Sequence, residues 1–122
     1  MEPLHLPHNH HQEGPELEVI KGHLAQSEYF QPVADLFKQL SDSTRIRIFW
    51  LLCHYEECVI NISSLMDMSS PAISHHLRAL KASGLITSRR EGKEVYYMAA
   101  DTPQSRLLHT MIEQVMQIQC PK

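Results

Sequence analysis

Hydroxyl, imidazole and guanidinium groups are concentrated in the segment SSPAISHHLRALKASGLI, residues 69–86. If this segment is helical, residues three and four apart share a face, so that Ser74, His75 and Arg78 lie on one polar side. Ser and His side chains can hydrogen-bond to bases or phosphates, and an Arg fork can grip guanine or phosphate. The spacing therefore favours recognition of duplex DNA by one face of a helix.

The charge of the chain is unevenly distributed along the sequence. The formal net charge is -3 over 122 residues. Residues 1–35 carry six acids and one lysine, whereas residues 69–93 carry five cations and one acid. Because salt screens a field over about 8–10 Å, the local patch rather than the total charge governs attraction to DNA. A solvated basic face without a ligand is the alternative interpretation.

Hydrophobic spacing predicts the helices that position this segment. A first helix begins near Tyr29, and a second follows cap residues at 41–43, with a core stripe of Ile46, Phe49, Trp50 and Cys53. A short third helix is predicted with Asn61 as its cap.

The fourth helix carries the polar face described above. Ser70 is predicted as its N-cap and Pro71 as its first residue, because Pro has no N–H to leave unpaired there. Its buried stripe is Ile73, Leu77 and Leu80, and Gly84 is suited to a left-handed C-cap.

Two strand-like runs and a last helix follow. LITSRR and KEVYYMA are separated by Glu91-Gly92, which predicts a hairpin with Arg89, Arg90 and Lys93 at its tip. Asp101 is predicted to cap the final helix, whose apolar band is too wide for the exterior of a small monomer. The band consists of Leu107, Leu108, Met111, Ile112, Val115 and Ile118.

These elements together predict a mainly α fold with a β-hairpin wing (α+β), a winged helix-turn-helix. We expect a homodimer through the first and last helices. Residues 1–26 are predicted to be a flexible His-rich N-terminal arm, and residues 27–122 the DNA-binding and dimerisation domain. The predicted DNA-binding residues are Ser69, Ser70, Ser74, His75, His76, Arg78, Lys81, Arg89, Arg90 and Lys93.

Several other classes of protein are disfavoured. No apolar run approaches the ~20 residues of a membrane span, and no signal peptide is evident, so a cytoplasmic protein without a membrane partner is expected. A Gly-rich phosphate loop and a nucleophile elbow are both absent, so the chain is not expected to be an enzyme. A protein-interaction module remains an alternative, and it would lack the steep salt dependence of DNA binding.

The stretches ADLFKQLSDSTRIRIFWLL, SSPAISHHLRALKASGLI and REGKEVYY resemble the ArsR/SmtB family of dimeric winged-helix repressors. The resemblance covers roughly residues 33–118. It implies a repressor that binds double-stranded operator DNA with two-fold symmetry. It also implies release from DNA by an inducer, often a transition-metal ion such as zinc or cadmium, although family members differ in the inducer and a repressor with no metal inducer is an alternative.

One metal site of the family uses thiolates in a CVC-like pattern at the start of the helix-turn-helix. This chain keeps Cys58 there but has Ile60 and Asn61 at the neighbouring ligand positions. Histidines of the N-terminal arm could supply the missing donors to Zn²⁺ or a similar divalent effector. The predicted metal ligands are His5, His8, His10, His11 and Cys58.

A second family site, on the final helix, is poorly matched. The chain keeps Asp101 but has Pro103 and two glutamines at the other positions, while His109 and Glu113 lie four residues apart on one face. Asp101, His109 and Glu113 are therefore weaker metal candidates.

Thiol-sensing members of the family oxidise a cysteine pair between the second and last helices. Cys53 and Cys120 lie in those helices, each about one turn beyond the expected position. A redox- or reactive-sulfur-responsive repressor using this pair is the alternative to a metal sensor. Reduced, inert cysteines are also compatible with the sequence.

Overall fold

The computed structural model describes residues 5–8, 10 and 14–117. The chain divides into two units, one ending at Leu36 and the other beginning at Phe37. In chain order the elements are α1 (Pro15–Leu24), α2 (Ser27–Gln39), α3 (Ser43–His54), β1 (Glu57–Cys58), α4 (Val59–Met66), α5 (Ser70–Ala82), β2 (Ile86–Glu91), β3 (Glu94–Ala99) and α6 (Pro103–Met116). No helix among the described residues has the length and hydropathy needed to cross a membrane.

Helix α1 was not predicted, and it lies within residues 1–26, which we expected to be a flexible arm. The sequence at its start is typical of a helix N-terminus, because Pro15 occupies the first turn after the N-cap Gly14. Acidic side chains in its first turn and basic ones in its last turn complement the helix dipole. Helix α2 was predicted, and its Phe30, Val33 and Phe37 are about half exposed.

Helix α3 begins where the cap residues predicted it. Asp42 is the N-cap, and its carboxylate accepts a hydrogen bond of 2.8 Å from the Thr44 backbone N–H. The predicted core stripe was partly wrong, because the buried residues are Ile48, Phe49 and Leu52. Phe49 alone belongs to both sets, since α3 packs against α5 and β3 with a face rotated from the predicted one.

Helices α4 and α5 form the helix-turn-helix. Helix α4 begins after Cys58, so the prediction that Asn61 caps it was wrong; Asn61 lies inside the helix and donates to Glu57. Asp67 ends α4 in the left-handed conformation, with φ 53°, which Asp tolerates better than most residues. The N-cap of α5 is Ser69, one residue earlier than predicted, and its Oγ accepts from the Ala72 N–H.

A Schellman motif joins α5 to the hairpin. Gly84 has φ 78°, the Gly84 N–H donates to the Lys81 carbonyl at 3.0 Å, and the Leu85 N–H donates to the Leu80 carbonyl at 3.1 Å. Leu85 is fully buried, and its carbonyl accepts a hydrogen bond from the buried Ser105 hydroxyl of α6. The end of α5 is therefore tied to the core and to α6.

The sheet is antiparallel with strand order β1-β3-β2. Glu91 pairs with Glu94, so the two-residue turn is Gly92-Lys93 rather than the predicted Glu91-Gly92. Gly92 has φ 61°, a conformation that a β-carbon would strain. Strand β1, which was not predicted, pairs with β3 at the register Glu57 to Tyr97.

Helix α6 is capped by Thr102, not by Asp101 as predicted. Thr102 Oγ1 accepts from the Ser105 N–H at 3.1 Å, while the Asp101 carboxylate is paired with Arg106. A hydroxyl one residue closer to the helix competes better for the first-turn donors. Ile118, the last residue of the predicted apolar band, lies outside the described residues.

The stabilities of two variants distinguish the two candidate N-caps of α6. We expect Thr102→Ala to lower the free energy of unfolding by about 1 kcal/mol, because it removes the hydrogen bond to the Ser105 N–H. Asp101→Ala should cost less than about 0.5 kcal/mol, because its ion pair is exposed. Urea denaturation at one fixed protein concentration measures both, and a larger loss for Asp101→Ala would contradict this capping.

Candidate DNA-binding surface and metal-ligand cluster

The outer face of α5 carries most of the predicted DNA contacts. Its buried face consists of Ile73, Leu77 and Leu80, as predicted. On the other side Ser69, His75, Arg78 and Lys81 are exposed, and Ser70 and Ser74 are half-buried. We call these six residues the recognition surface. Its donors can reach a ligand only because the apolar face holds α5 against the core.

His76 differs from the other predicted contacts. Its side chain is only 13% exposed, and its Nδ1 accepts a hydrogen bond of 3.1 Å from Arg45 Nε on α3. Burial lowers the pKa of His76, the charges of Arg45 and His75 act in the same direction, and Asp42 opposes them. Burial and the hydrogen bond from Arg45 thus favour the neutral form of His76, which joins α5 to α3 rather than lying on the recognition surface.

The hairpin β2-β3 forms the wing, and its Arg89 is held by two acidic side chains. Arg89 Nε donates to Glu56 at 2.7 Å, and Nη1 donates to Glu91 at 2.8 Å. The Arg89 guanidinium carbon also lies 4.9 Å from the Tyr96 ring centroid. The hydrogen bonds to Glu56 and Glu91 raise the pKa of Arg89. Arg90 and Lys93 are also exposed, so the cationic charge of the wing that Glu56 and Glu91 do not oppose lies at these two residues.

A second cluster of functional groups lies between α3 and α6. His54 Nε2 is 3.6 Å from Glu113 Oε2, and His109 Nε2 is 3.4 Å from the same oxygen. One ligand atom from each of the three residues lies within 4.8 Å of the others. The Trp50 indole N–H donates to Glu113 Oε2 at 3.0 Å. We call His54, His109 and Glu113 the α3-α6 cluster, and its donors are of the kind that bind divalent transition metals.

The structure brings together some of the predicted metal ligands but not others. His109 and Glu113 belong to the α3-α6 cluster, whereas Asp101 is not part of it and is paired with Arg106. Cys58 is buried in the second unit. His5, His8 and His10 are exposed in the first unit, and His11 lies outside the described residues. A site joining the arm to Cys58 therefore stays a prediction.

The proposed redox pair also stays a prediction. Cys53 is half-buried on α3, and Cys120 lies outside the described residues.

Two residues of these sites were missed by the sequence analysis. His54 and Glu56 lie at and just after the end of α3, where no motif singled them out. His109 and Glu113 were recognised as one helix face, and Trp50 and His54, which are also four residues apart, could have been recognised in the same way. Nothing in the sequence indicated that the two faces meet.

Comparison with known proteins agrees with this architecture. Residues 42–88, from the cap of α3 into β2, match the model of the arsR family of bacterial regulatory proteins. An uncharacterized HTH-type transcriptional regulator of Methanocaldococcus jannaschii is 36% identical over 75 residues, which cover 61% of this chain and 84% of that protein. The chain belongs to the ArsR family. Membership in this family confirms the prediction of a DNA-binding transcriptional regulator. It also confirms the prediction that the chain is not an enzyme.

Two further proteins similar to this ArsR-family chain bear on its function. A cadmium resistance transcriptional regulatory protein CadC homolog of Staphylococcus aureus is 44% identical over 70 residues, 57% of this chain and 58% of that protein. This chain thus spans little more than half the length of the first curated relatives it matches. The solution structure of a homodimeric winged helix-turn-helix DNA-binding domain of Mycobacterium bovis has a TM-score of 0.64, with 27% identity, covering 88% of this chain and 89% of that one.

The Glu56-Arg89 ion pair predicts how the Glu56 carboxyl titrates with acid. The hydrogen bond from Arg89 holds the pKa of Glu56 below its ordinary 4.5, and this outweighs partial desolvation. A carboxyl whose folded pKa is depressed stabilises the fold above 4.5 and loses that contribution as pH falls through the folded pKa. In Arg89→Gln the pKa of Glu56 should rise toward the ordinary value. Carbon-detected NMR titration measures it, and an unchanged pKa would show that Arg89 is not the cause.

Proposed function

We propose that this ArsR-family regulator is a sequence-specific repressor that places α5 in the major groove of operator DNA. The observation that carries the proposal is the exposure of the recognition surface on the second helix of a helix-turn-helix. The first residues of such a helix reach base edges, and phosphate contacts fix its register. Arg90 and Lys93 of the wing meet the adjacent backbone in this arrangement.

The repressor is proposed to act as a homodimer through α2 and α6. Leu107 and Val115 of α6 are 71% and 77% exposed, and Met111 lies between them on the same stripe. Such a stripe is typical of a helix that packs against another. The Mycobacterium bovis domain, which is described as homodimeric, supports a homodimer. A sedimentation mass of 14.1 kDa at micromolar concentration would contradict it.

A divalent transition metal is the proposed effector that releases the operator. Support comes from the CadC homolog, whose name describes a cadmium resistance regulator. It also comes from the donors of the α3-α6 cluster, which lie in the same unit as the helix-turn-helix. A ligand that binds the DNA-free conformation more tightly lowers operator affinity by that difference in free energy.

Arg78 tests the recognition surface. Arg78→Ala should weaken binding to the operator by roughly 1–3 kcal/mol and relax base preference, because its side chain is proposed to contact a base edge. Fluorescence anisotropy with the DNA upstream of its own gene and with a scrambled duplex measures both effects. Arg106→Ala, which removes an exposed arginine of α6, is the matched control. Equal affinity and selectivity in Arg78→Ala and wild type would refute this placement.

The wing is tested by the salt dependence of binding. Replacing both Arg90 and Lys93 by Gln should flatten the slope of log K against log salt by roughly 1–2, since about one counterion is released per phosphate contact. Arg89→Gln should change the slope less, because the charge of Arg89 is opposed by Glu56 and Glu91. If the double variant keeps the wild-type slope, the wing does not contact the DNA.

A further inference from the structure

We propose that His54, His109 and Glu113 form a metal centre within one subunit, between α3 and α6, for a divalent ion of the Zn²⁺, Co²⁺ or Ni²⁺ class. This inference rests on the proposed function for its regulatory meaning, but not for metal binding itself. The site is separate from the predicted ligand set of the N-terminal arm and Cys58. It uses one side chain, His54, that no sequence motif indicated.

The spacing of the donor atoms fits a tetrahedral ion. A tetrahedron with bonds of about 2.0–2.1 Å has donor-to-donor edges of about 3.3–3.4 Å. The distances from Glu113 Oε2 to the two imidazole Nε2 atoms are 3.4 and 3.6 Å, so two of three edges are already formed. The third edge, between the imidazoles, is at most 4.8 Å. Closing it needs a shift of at most about 1.5 Å, well within the reach of side-chain rotation.

One nitrogen of the cluster lacks a hydrogen bond within the described part of the chain. His54 Nε2 is buried and has no hydrogen-bond partner among the described residues. Leaving a buried polar nitrogen unpaired costs free energy that a metal bond would recover. The His54 ring lies between two neighbouring rings, with the Trp50 ring centroid 4.6 Å away and that of His109 4.9 Å away. In this position the ring places its Nε2 atom toward Glu113, 3.6 Å from Oε2.

Glu113 is positioned as the anionic ligand. Its side chain is 14% exposed, and its Oε2 atom also accepts the Trp50 indole N–H. Outer hydrogen bonds of this kind orient a ligating carboxylate. The most exposed of the three side chains is His109, at 23%, which leaves a side from which an ion and a water molecule can enter.

The donor set indicates the class of metal. Two imidazoles and one carboxylate suit ions of intermediate softness, whereas thiolates favour softer ions. A fourth position is left for water, as in other three-ligand zinc sites. We therefore expect preference for Zn²⁺, Co²⁺ and Ni²⁺, with weaker retention of Cd²⁺ than at a thiolate site.

The location of the site also connects it to the DNA-binding elements. Glu56, which holds Arg89 of the wing, is two residues beyond His54. Cys58, the N-cap of α4, follows two residues later. Drawing His54 toward α6 would therefore act on the segment that joins α3 to the helix-turn-helix and the wing.

The test is titration of the reduced, metal-free full chain with Co²⁺, followed by visible absorption, and then competition with Zn²⁺. One ion per protomer with the spectrum of a four-coordinate site is expected. His54→Gln and His109→Gln should each weaken binding by roughly 100-fold or more, because each removes one ligand of a small set. Glu113→Gln keeps an oxygen for the Trp50 N–H while removing the charge, so it separates metal binding from folding.

Control variants distinguish the rival sites. His23→Gln removes an exposed histidine of α1 and should leave Co²⁺ affinity unchanged. Cys58→Ala tests the arm site. If Cys58→Ala abolishes binding while His54→Gln retains it, or if no single variant weakens it, the inference is wrong. Circular dichroism melts of the variants without metal confirm that they are folded.

An operator titration separates this inference from the proposed function. Wild-type protein should lose operator affinity by about 5- to 150-fold when Zn²⁺ is added, and His54→Gln should not. If both proteins release DNA equally, the α3-α6 site is overturned as the sensor while the repressor function stands. If the metal-free protein shows no preference for the operator over scrambled DNA, the proposed function fails, and the Co²⁺ spectra still decide whether the site exists.

Discussion

Burial of one face of α5 is the constraint on which the rest of the structure depends. Ile73, Leu77 and Leu80 are at most 2% exposed, and they pack against α3 and α4. Because side chains on a helix advance by about 100° per residue, fixing these three fixes the direction of every other side chain of α5. Truncating one of them to Ala would cost about 2–5 kcal/mol and would loosen that orientation. The recognition surface is thus a consequence of core packing.

The same packing determines which cationic side chains remain available to contact DNA. Arg89 and Arg90 are neighbours in sequence and both are exposed, but the charge of Arg89 is opposed by Glu56 and Glu91. Alternation along β2 directs the two side chains to opposite faces of the sheet. Strand β1 brings the end of α3 alongside β3, so that Glu56 can reach the wing. A count of cations along the chain therefore overstates the charge that the wing can offer to DNA.

The α3-α6 cluster lies where a sensing site can act on the DNA-binding elements. It is built on α3, which packs against α5 and β3, and on α6, whose Ser105 holds the turn after α5. Movement of α3 relative to α6 would be transmitted through packed side chains, because a dense core shifts between discrete arrangements. His76 adds a second tie between α3 and α5 through Arg45. In the proposed arrangement, metal binding and DNA recognition would share α3.

The sequence by itself determined most of the elements and the buried stripe of α5, because helical periodicity, Pro and Gly act locally and are visible in a single chain. It also indicated the polar face of α5 and the cationic hairpin. Only the tertiary structure decided that His54 meets His109 and Glu113, that Glu56 holds Arg89, and that α3 buries Ile48 and Leu52 instead of Ile46 and Trp50. These features depend on contacts between residues far apart in the chain, and the rotation of one helix against another leaves no periodic signal in the sequence.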